Sequence, residues 1–149
     1  VAFLNTTLDM DQGCVVEGTL HVTAGNGLVF PAAGICLEQK NQEAAGPLAT
    51  AILFETWGQT EIGTIYGSEP LRFESRDQTG YGCATVAGMP AGETCSFRLL
   101  IRKGIFEVYL NDLLVQTFPG ENLTGRIGFI VQDGQGTFSC PKVWNMNLQ

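Results

Sequence analysis

The sequence has little of the chemistry that most enzymes and nucleic-acid-binding proteins need. It contains one histidine, His21, and no signature residues surround it, so a Ser/His/Asp or Cys/His catalytic arrangement is not indicated. Its 8 basic residues against 15 acidic ones give a net charge of -7, which disfavours binding to phosphate backbones and anionic membrane surfaces. We therefore predict no nucleic-acid partner and no membrane partner, and we interpret His21 as a solvent-facing strand residue.

Long apolar runs are also missing. None approaches the roughly 18 residues that a membrane-spanning helix needs, and no long segment repeats apolar positions at helical spacing. The chain starts at Val1 without a methionine or a signal-type hydrophobic region, which predicts a processed chain or a domain excised from a larger secreted protein. A length of 149 residues, of which 44% are hydrophobic, suits one domain over residues 1–149 that buries its own core.

The five cysteines show no CxxC spacing, so neither a zinc ribbon nor a thioredoxin-type redox motif is indicated. Disulfides are the expected use. Cys83 and Cys95 bracket the turn-rich segment GMPAG, and two neighbouring antiparallel strands would bring them within bonding distance. The odd cysteine is expected to be free or to pair outside this chain. Sequons at Asn5 and Asn122 agree with a secreted or extracellular protein.

Phosphate-binding and metal-binding motifs are absent. The segments 25–27 and 134–136 are glycine-rich, but neither opens a helix, so we predict turns. Loop carboxylates at Asp9, Asp11 and Asp133 are where a structural calcium ion would bind, although no calcium-loop motif is present. We predict no cofactor, with structural calcium as the alternative.

What the sequence does have is strict alternation. Within residues 97–118, the apolar residues Phe106, Val108 and Leu110 alternate with residues that include Glu107 and Tyr109, as in a strand with one buried face. Turn residues interrupt the chain about every 8 to 12 positions. This pattern predicts an all-β fold, a two-sheet antiparallel β-sandwich of about twelve strands with no significant helix.

The same alternation turns charged and aromatic side chains outward on several strands. If these strands are neighbours, the side chains form one patch, and a patch of this composition suits a sugar: aromatic rings cover its C–H face while charged groups bond its hydroxyls. The predicted ligand-binding residues are Glu55, Trp57, Arg72, Glu74, Arg76, Tyr81, Glu107 and Tyr109, with Tyr66 as a further residue at the rim.

Two other interpretations of these residues stay open. The charges would pair across strands and keep an outer face soluble, and Trp57 would pack in the core or under a loop. Alternatively, two of the carboxylates Glu55, Glu74 and Glu107 would form a glycosidase pair, but a sandwich without long loops has little from which to build the enclosed site that such a pair needs.

The second half of the chain resembles the C-terminal β-sandwich domain of glycoside hydrolase family 32 and the related carbohydrate-binding module family 66. The segments FRLLIRKGIFEVYLND and LTGRIGFIVQDGQGTFSCPKVWNM carry the resemblance, within residues 96–149. It implies a concanavalin-like jelly roll. The enzyme family's catalytic signatures are absent, since there is no NDPN-type motif and no Glu-Cys pair, and Gln78 follows Arg76-Asp77 where the family has proline. No hydrolase activity is therefore implied.

The resemblance implies instead a non-catalytic carbohydrate-binding module for an oligo- or polysaccharide, such as one with terminal fructosyl or other non-reducing-end sugars, with a catalytic glycoside hydrolase domain in the same parent chain. The alternative is a structural accessory or cell-surface interaction domain that packs on a glycoside hydrolase and binds no sugar. A small glycosidase in its own right is the third hypothesis.

Overall fold

The computed structural model describes residues 1–24, 31–40, 43–56, 60–75 and 92–145, and these form two antiparallel sheets with no helix among them. The predicted all-β two-sheet sandwich is confirmed, with eleven strands in the described residues against about twelve predicted. The strands are β1 (Ala2–Thr7), β2 (Cys14–Ala24), β3 (Ala32–Gln39), β4 (Pro47–Glu55), β5 (Thr60–Tyr66), β6 (Arg72–Ser75), β7 (Thr94–Arg102), β8 (Ile105–Leu110), β9 (Leu113–Pro119), β10 (Leu123–Gln132) and β11 (Gly134–Asn145).

The two sheets divide the chain unequally. The larger sheet has six strands in the order β1-β10-β3-β4-β5-β6, and the smaller has five in the order β11-β2-β7-β8-β9. The meander predicted over residues 97–118 corresponds to β7, β8 and β9, which pair consecutively. The meander therefore supplies three of the five strands of the smaller sheet and one of its edges.

Tight turns connect the meander strands as the turn residues predict. Lys103 and Gly104 have φ values of 49° and 77°, and Asn111 and Asp112 have φ values of 50° and 65°. Two successive positive φ values match the twist of the flanking strands, and Gly, Asn and Asp adopt them at low cost. The turn chemistry thus fixes the register of β7 on β8 and of β8 on β9.

The main core lies between the sheets and follows the predicted alternation. On β8, Phe106, Val108 and Leu110 are buried, whereas Glu107 and Tyr109 are partly exposed on the outer face. Aromatic side chains join the two sheets, because Phe129 of the larger sheet contacts Phe97 and Phe138 of the smaller one, with ring centroids 6.3 and 4.3 Å away. His21 lies on the outer face of β2 and is partly exposed.

A second apolar cluster lies on the outer face of the six-stranded sheet, and it includes Leu53 and Ile130, which sequence alternation places on outward faces. Leu53, Ile65 and Ile130 belong to it and are buried. Part of the packing is ring over glycine: a Cβ on Gly63 would lie 2.5 Å from the Phe73 ring, and one on Gly128 would lie 2.8 Å from Phe3 Cδ1. For Leu53 and Ile130 the alternation assigned the faces correctly, but these outward side chains are buried within the cluster and are not exposed to solvent.

The predicted disulfide between Cys83 and Cys95 is wrong. Cys95 is a free, buried thiol, because alternation along β7 turns its side chain into the core together with those of Phe97 and Leu99. Cys14 and Cys36 are also free and buried, and Cys83 lies outside the described residues. Because Cys95 is free, the expected disulfide no longer supports the prediction that the protein is secreted.

We expect Cys14, Cys36 and Cys95 to resist alkylation in the native protein. Burial raises the pKa of Cys14 to about 11 and that of Cys36 to about 12, and the thiolate is the reactive species. Iodoacetamide labelling at pH 8 with peptide mapping should show modification of these three only after unfolding. Rapid labelling of any of the three in the folded protein would contradict this packing.

Candidate functional site

The described members of the predicted sugar patch do not meet in one place. Glu55 ends β4 on the outer-face side of the six-stranded sheet, two residues from Leu53, and is 7% exposed. Arg72 and Glu74 lie on the edge strand β6, opposite Tyr66 and Thr64 of β5. They are on the other face of the sheet from Ile65, which belongs to the outer-face cluster. Glu107 and Tyr109 lie on the other sheet. Trp57, Arg76 and Tyr81 are outside the described residues. The described members of the patch lie apart because their strands are not neighbours in the sheets. The alternation of side chains along a strand does not specify which strands are neighbours.

The β6 residues interact mainly with each other. The Arg72 guanidinium carbon lies 4.5 Å from the centroid of the Tyr66 ring, and Arg72 Nη2 lies 3.7 Å from Glu74 Oε2. Both charged side chains are about 60% exposed, 62% and 61%. An ion pair this exposed contributes at most about 1 kcal/mol to stability. This cluster matches the alternative that the charges keep an edge soluble.

The residues on the five-stranded sheet form a more ordered cluster. The Tyr109 hydroxyl donates a hydrogen bond of 3.0 Å to Glu107 Oε2, and the Arg98 guanidinium carbon lies 4.7 Å from the centroid of the Tyr109 ring. Arg98 and Tyr109 are direct cross-strand partners between β7 and β8. The prediction included Glu107 and Tyr109 but not Arg98, although the Lys103-Gly104 turn sets the register that pairs Arg98 with Tyr109.

Glu107 raises the pKa of Tyr109. The hydrogen bond to the carboxylate is the largest cause, followed by burial and by the negative charge of Glu107, while the positive charge of Arg98 acts in the opposite direction. The hydroxyl is thus held in its protonated form as a donor to Glu107, and the carboxylate is fixed in orientation.

This hydrogen bond predicts a pH dependence. Because the pKa of Tyr109 is higher in the folded protein, its contribution to stability is fully present below about pH 10, the ordinary tyrosine pKa, and is lost as pH rises through the folded value. Tyrosine absorbance titration should show one ionisation shifted upward that disappears in Tyr109→Phe and moves down in Glu107→Gln. Identical titrations of the wild-type protein and Glu107→Gln would contradict the hydrogen bond.

A polar groove runs beside this cluster across the outer face of the five-stranded sheet. Its volume is about 350 Å³, within the range of small-ligand sites. Lys142, Glu17, Arg98 and Tyr109 form one cross-strand row over β11, β2, β7 and β8. The polar side chains that line the groove are Glu17, Thr19, Ser96, Arg98, Asp112 and Lys142.

The charged groups of the groove form no ion pair with any residue that the structure describes. Within the described part of the chain, the ion pairs are Arg72–Glu74 and Arg126–Glu38, and neither belongs to the groove. The Nε atom of Arg98 is buried and has no hydrogen-bond partner among the described residues. A buried donor without a partner costs about 1 to 3 kcal/mol, so this position of the Arg98 side chain is held at some cost to stability.

Ser96 and the neighbouring turn are held rigidly. Asn111 Oδ1 accepts a hydrogen bond of 3.0 Å from the Ser96 amide, and the Asn111 amide donates one of 2.8 Å to the Ser96 carbonyl. Rigid strands and turns lower the entropy cost of binding, because little has to be ordered when a ligand arrives. The groove is therefore a preformed set of donors and acceptors.

Two further features bear on the kinds of site that the described residues 1–24, 31–40, 43–56, 60–75 and 92–145 contain. No group of three or more His, Cys, Asp or Glu side chains there is placed to hold a metal ion. No helix in the same residues is long and apolar enough to cross a membrane.

Solved structures with this fold include carbohydrate-binding proteins. Sheep galectin-11, solved with glycerol, has a TM-score of 0.66 at 11% identity, over 96% of each chain. Carbohydrate-binding module CBM66 from Bacillus subtilis has a TM-score of 0.62 at 12% identity, over 89% of this chain and 74% of that one. An alginate lyase from Corynebacterium has a TM-score of 0.61 at 11% identity, over 95% of this chain and 62% of that one. No family model matches the sequence, and no curated protein does either.

These similarities establish the fold. The CBM66 structure supports the predicted resemblance at the level of a β-sandwich, and the galectin has the same overall architecture. The alginate lyase shows that the sandwich also occurs in enzymes. The finer resemblance to the C-terminal domain of glycoside hydrolase family 32 stays a prediction. The chain has a jelly-roll sandwich fold shared with galectins and a carbohydrate-binding module.

Proposed function

We propose that this protein is a non-catalytic carbohydrate-binding module that binds a glycan in the groove of the five-stranded sheet. The groove carries the proposal, because it places the carboxylates of Glu17 and Asp112 beside the cations of Arg98 and Lys142 on rigid strands, and none of the four forms an ion pair within the described residues. The fold shared with galectins and CBM66 gives a second, independent reason to expect a sugar ligand.

The groove residues complement sugar hydroxyls. Each hydroxyl both donates and accepts, so a carboxylate can accept from one hydroxyl while a guanidinium or ammonium donates to its neighbour. Neighbouring strands lie about 4.8 Å apart, which places donors and acceptors of the Lys142–Glu17–Arg98 row at intervals comparable to the width of a sugar ring. Of the predicted ligand-binding residues, Glu107 and Tyr109 adjoin the groove through Arg98.

A binding role fits this site better than hydrolysis. Glycoside hydrolysis uses two carboxyl groups, one of which has its pKa raised by an enclosed environment. Glu17 lies mid-strand on an outer sheet face, and Asp112 is an exposed turn residue. We accordingly keep the glycan-binding role, with a terminal fructosyl or other non-reducing-end sugar, extracellular localisation and a linked hydrolase domain as parts of the proposal.

The accessory-domain alternative requires a continuous apolar docking patch. Large exposed apolar side chains in the described residues fall into separate groups. Val1 and Leu71 line one small cavity of the larger sheet, whereas Ile105, Leu113 and Leu114 lie on the β8–β9 hairpin of the smaller one. Even within this hairpin, Ile105 and Leu113 lie at opposite ends, roughly 16 Å apart along the strand. The polar groove is therefore the better-supported interaction site.

Calorimetric titration of the chain against a glycan panel tests the function. The panel should include fructans, β-galactosides and uronate polymers, and we expect saturable binding to at least one of them without hydrolysis. No binding to any glycan would overturn the proposal, and cleavage of a glycan by the isolated chain would replace it with an enzymatic one.

A further inference from the structure

A second cavity lies at one end of the sandwich, apart from the groove. Its volume is about 380 Å³, and it is formed where the β1–β2 turn, the β7–β8 turn and the β9–β10 loop meet. Ser96 of the groove and Arg102 at the cavity end of β7 are separated by roughly 20 Å along the strand. The polar side chains around the cavity are Asp9, Asp11, Lys40, Asn122 and Thr124.

Backbone hydrogen bonds between the loops hold the cavity open in one shape. The Leu8 amide donates to the Gly125 carbonyl at 2.7 Å, the Lys40 amide to Asn122 at 2.6 Å, and the Gly120 amide to Gly104 at 2.8 Å. Each bond connects two different segments of the chain. A site fixed in this way loses little entropy on binding, so weak polar contacts there suffice for measurable affinity.

The polar groups of the cavity include both acceptors and donors. Asp9 Oδ1 accepts from the amides of Asp11 and Gln12, both at 3.0 Å, which orients the carboxylate and leaves Oδ2 with no partner among the described residues. The carboxylate of Asp11 and the ammonium of Lys40 have no ion-pair partner there either. Acceptors, a cation and the Asn122 amide thus face one small space.

Several apolar side chains lie among the polar groups of the cavity. Met10 packs on the main core, Leu123 is 8% exposed, and the Phe106 ring lies against Gly120. Small-ligand sites combine apolar side chains with a few convergent polar groups, and in this cavity the polar share of the lining is the larger one. This combination matches a sugar ring, whose C–H groups pack on apolar side chains while its hydroxyls bond the polar ones.

A metal ion fits the cavity less well. Calcium takes 6 to 8 oxygen ligands, whereas two carboxylates line this cavity and one of their oxygens already accepts from two amides. The Lys40 ammonium would also repel a cation. The calcium alternative considered for Asp9 and Asp11 is thus disfavoured here.

We propose that the end cavity is a second carbohydrate site that takes a single uncharged sugar unit. Asp9 Oδ2 and Asp11 accept from its hydroxyls, Lys40 and Asn122 donate to them, and Met10 and Leu123 contact the ring. The site is independent of the groove, so either one can bind when the other does not. A shallow site for one sugar unit is expected to have a Kd of about 1 mM or weaker.

Amide chemical shifts of the full chain, titrated with neutral methyl glycosides and fructose, test this site. We expect saturable shifts at Gly104, Gly120 and Asn122 that persist in the groove variant Arg98→Met. Asp11→Asn should weaken this binding about tenfold, since a bond to a charged group contributes about 1.5 to 3 kcal/mol. Asp133→Asn is the matched control, because Asp133 lies in the β10–β11 turn, outside the cavity, and Asn tolerates its φ of 57°.

Three outcomes would overturn the second site. The first is the absence of saturable shifts with every sugar. The second is a response of these amides to calcium chloride alone. The third is loss of the shifts in Arg98→Met, which would mean that they report sugar binding in the groove and that the cavity is not a separate sugar site. Absence of glycan binding at the groove of the wild-type protein, with these shifts present, would instead refute the proposed function and leave the cavity intact.

Discussion

Gly34→Ala is expected to lower the free energy of unfolding by about 3 kcal/mol, at the upper end of the range for overpacked sites. Gly34 lies within β3, between Leu53 of β4 and Ile130 of β10. A Cβ at this position would overlap the carbonyl oxygen of Ile52, which is a backbone atom of the neighbouring strand. No side-chain rotation can relieve that contact, so β3 and β4 would have to move apart in the middle of the larger sheet.

The measurement is denaturant-induced unfolding, with Gly67→Ala as the matched control. A Cβ on Gly67 would meet the Gly46 carbonyl oxygen at 3.6 Å, an ordinary contact, so its effect should stay within about 0.5 kcal/mol. We expect the Tm of Gly34→Ala to fall by about 10 °C. If the two variants were equally stable, the β3–β4 packing described here would be wrong.

Arg98→Met is expected to weaken glycan binding about tenfold or more, the largest effect of any single groove substitution. Methionine keeps the apolar stem of the side chain but removes the guanidinium, and a hydrogen bond to a charged group contributes about 1.5 to 3 kcal/mol. The stability of the protein should change little, because the lost contact with the Tyr109 ring is offset by removal of the buried, unpartnered Nε.

Arg102→Met provides the control for Arg98→Met. Arg102 lies on the same strand and the same face but is exposed and outside the groove. Calorimetry with the best ligand from the glycan panel should show wild-type affinity for Arg102→Met and reduced affinity for Arg98→Met. Equal affinities of the two variants would mean that the guanidinium of Arg98 does not contact the glycan.

The fold was predictable because its determinants are local in sequence. Alternation from Phe106 to Leu110 specified which face of β8 is buried, and the pairs Lys103-Gly104 and Asn111-Asp112 specified the turns on either side. Each signal lies within a few residues of the structure that it determines. The resemblance of residues 96–149 to a β-sandwich domain pointed to the same architecture as the alternation did.

The site was less predictable because it depends on strand order. Alternation placed Glu55, Arg72 and Glu107 outward but did not specify that two of them lie on one sheet and the third on the other. It also gave no reason to expect buried apolar side chains such as Leu53 on an outer face. Arg98 was recoverable from the meander alone, since the turn at Lys103-Gly104 sets its pairing with Tyr109.

The cysteines were mispredicted for a related reason. Sequence spacing suggested that Cys83 and Cys95 flank a turn, but it did not weigh the position of Cys95 in an alternating core strand. A side chain that points into a packed core is poorly placed to bond a partner across a loop. The alternation of side chains along β7 was the informative signal, because it places the Cys95 thiol on the buried face.

Mapping of the bound glycan on the protein is the most direct test of the proposed function. The best ligand from the glycan panel should perturb amide shifts around Glu17, Thr19, Ser96 and Arg98, on the outer face of the five-stranded sheet. Perturbations confined to Tyr66 and Arg72 at the edge of the larger sheet, or around Leu53 on its outer face, would contradict the groove as the glycan site.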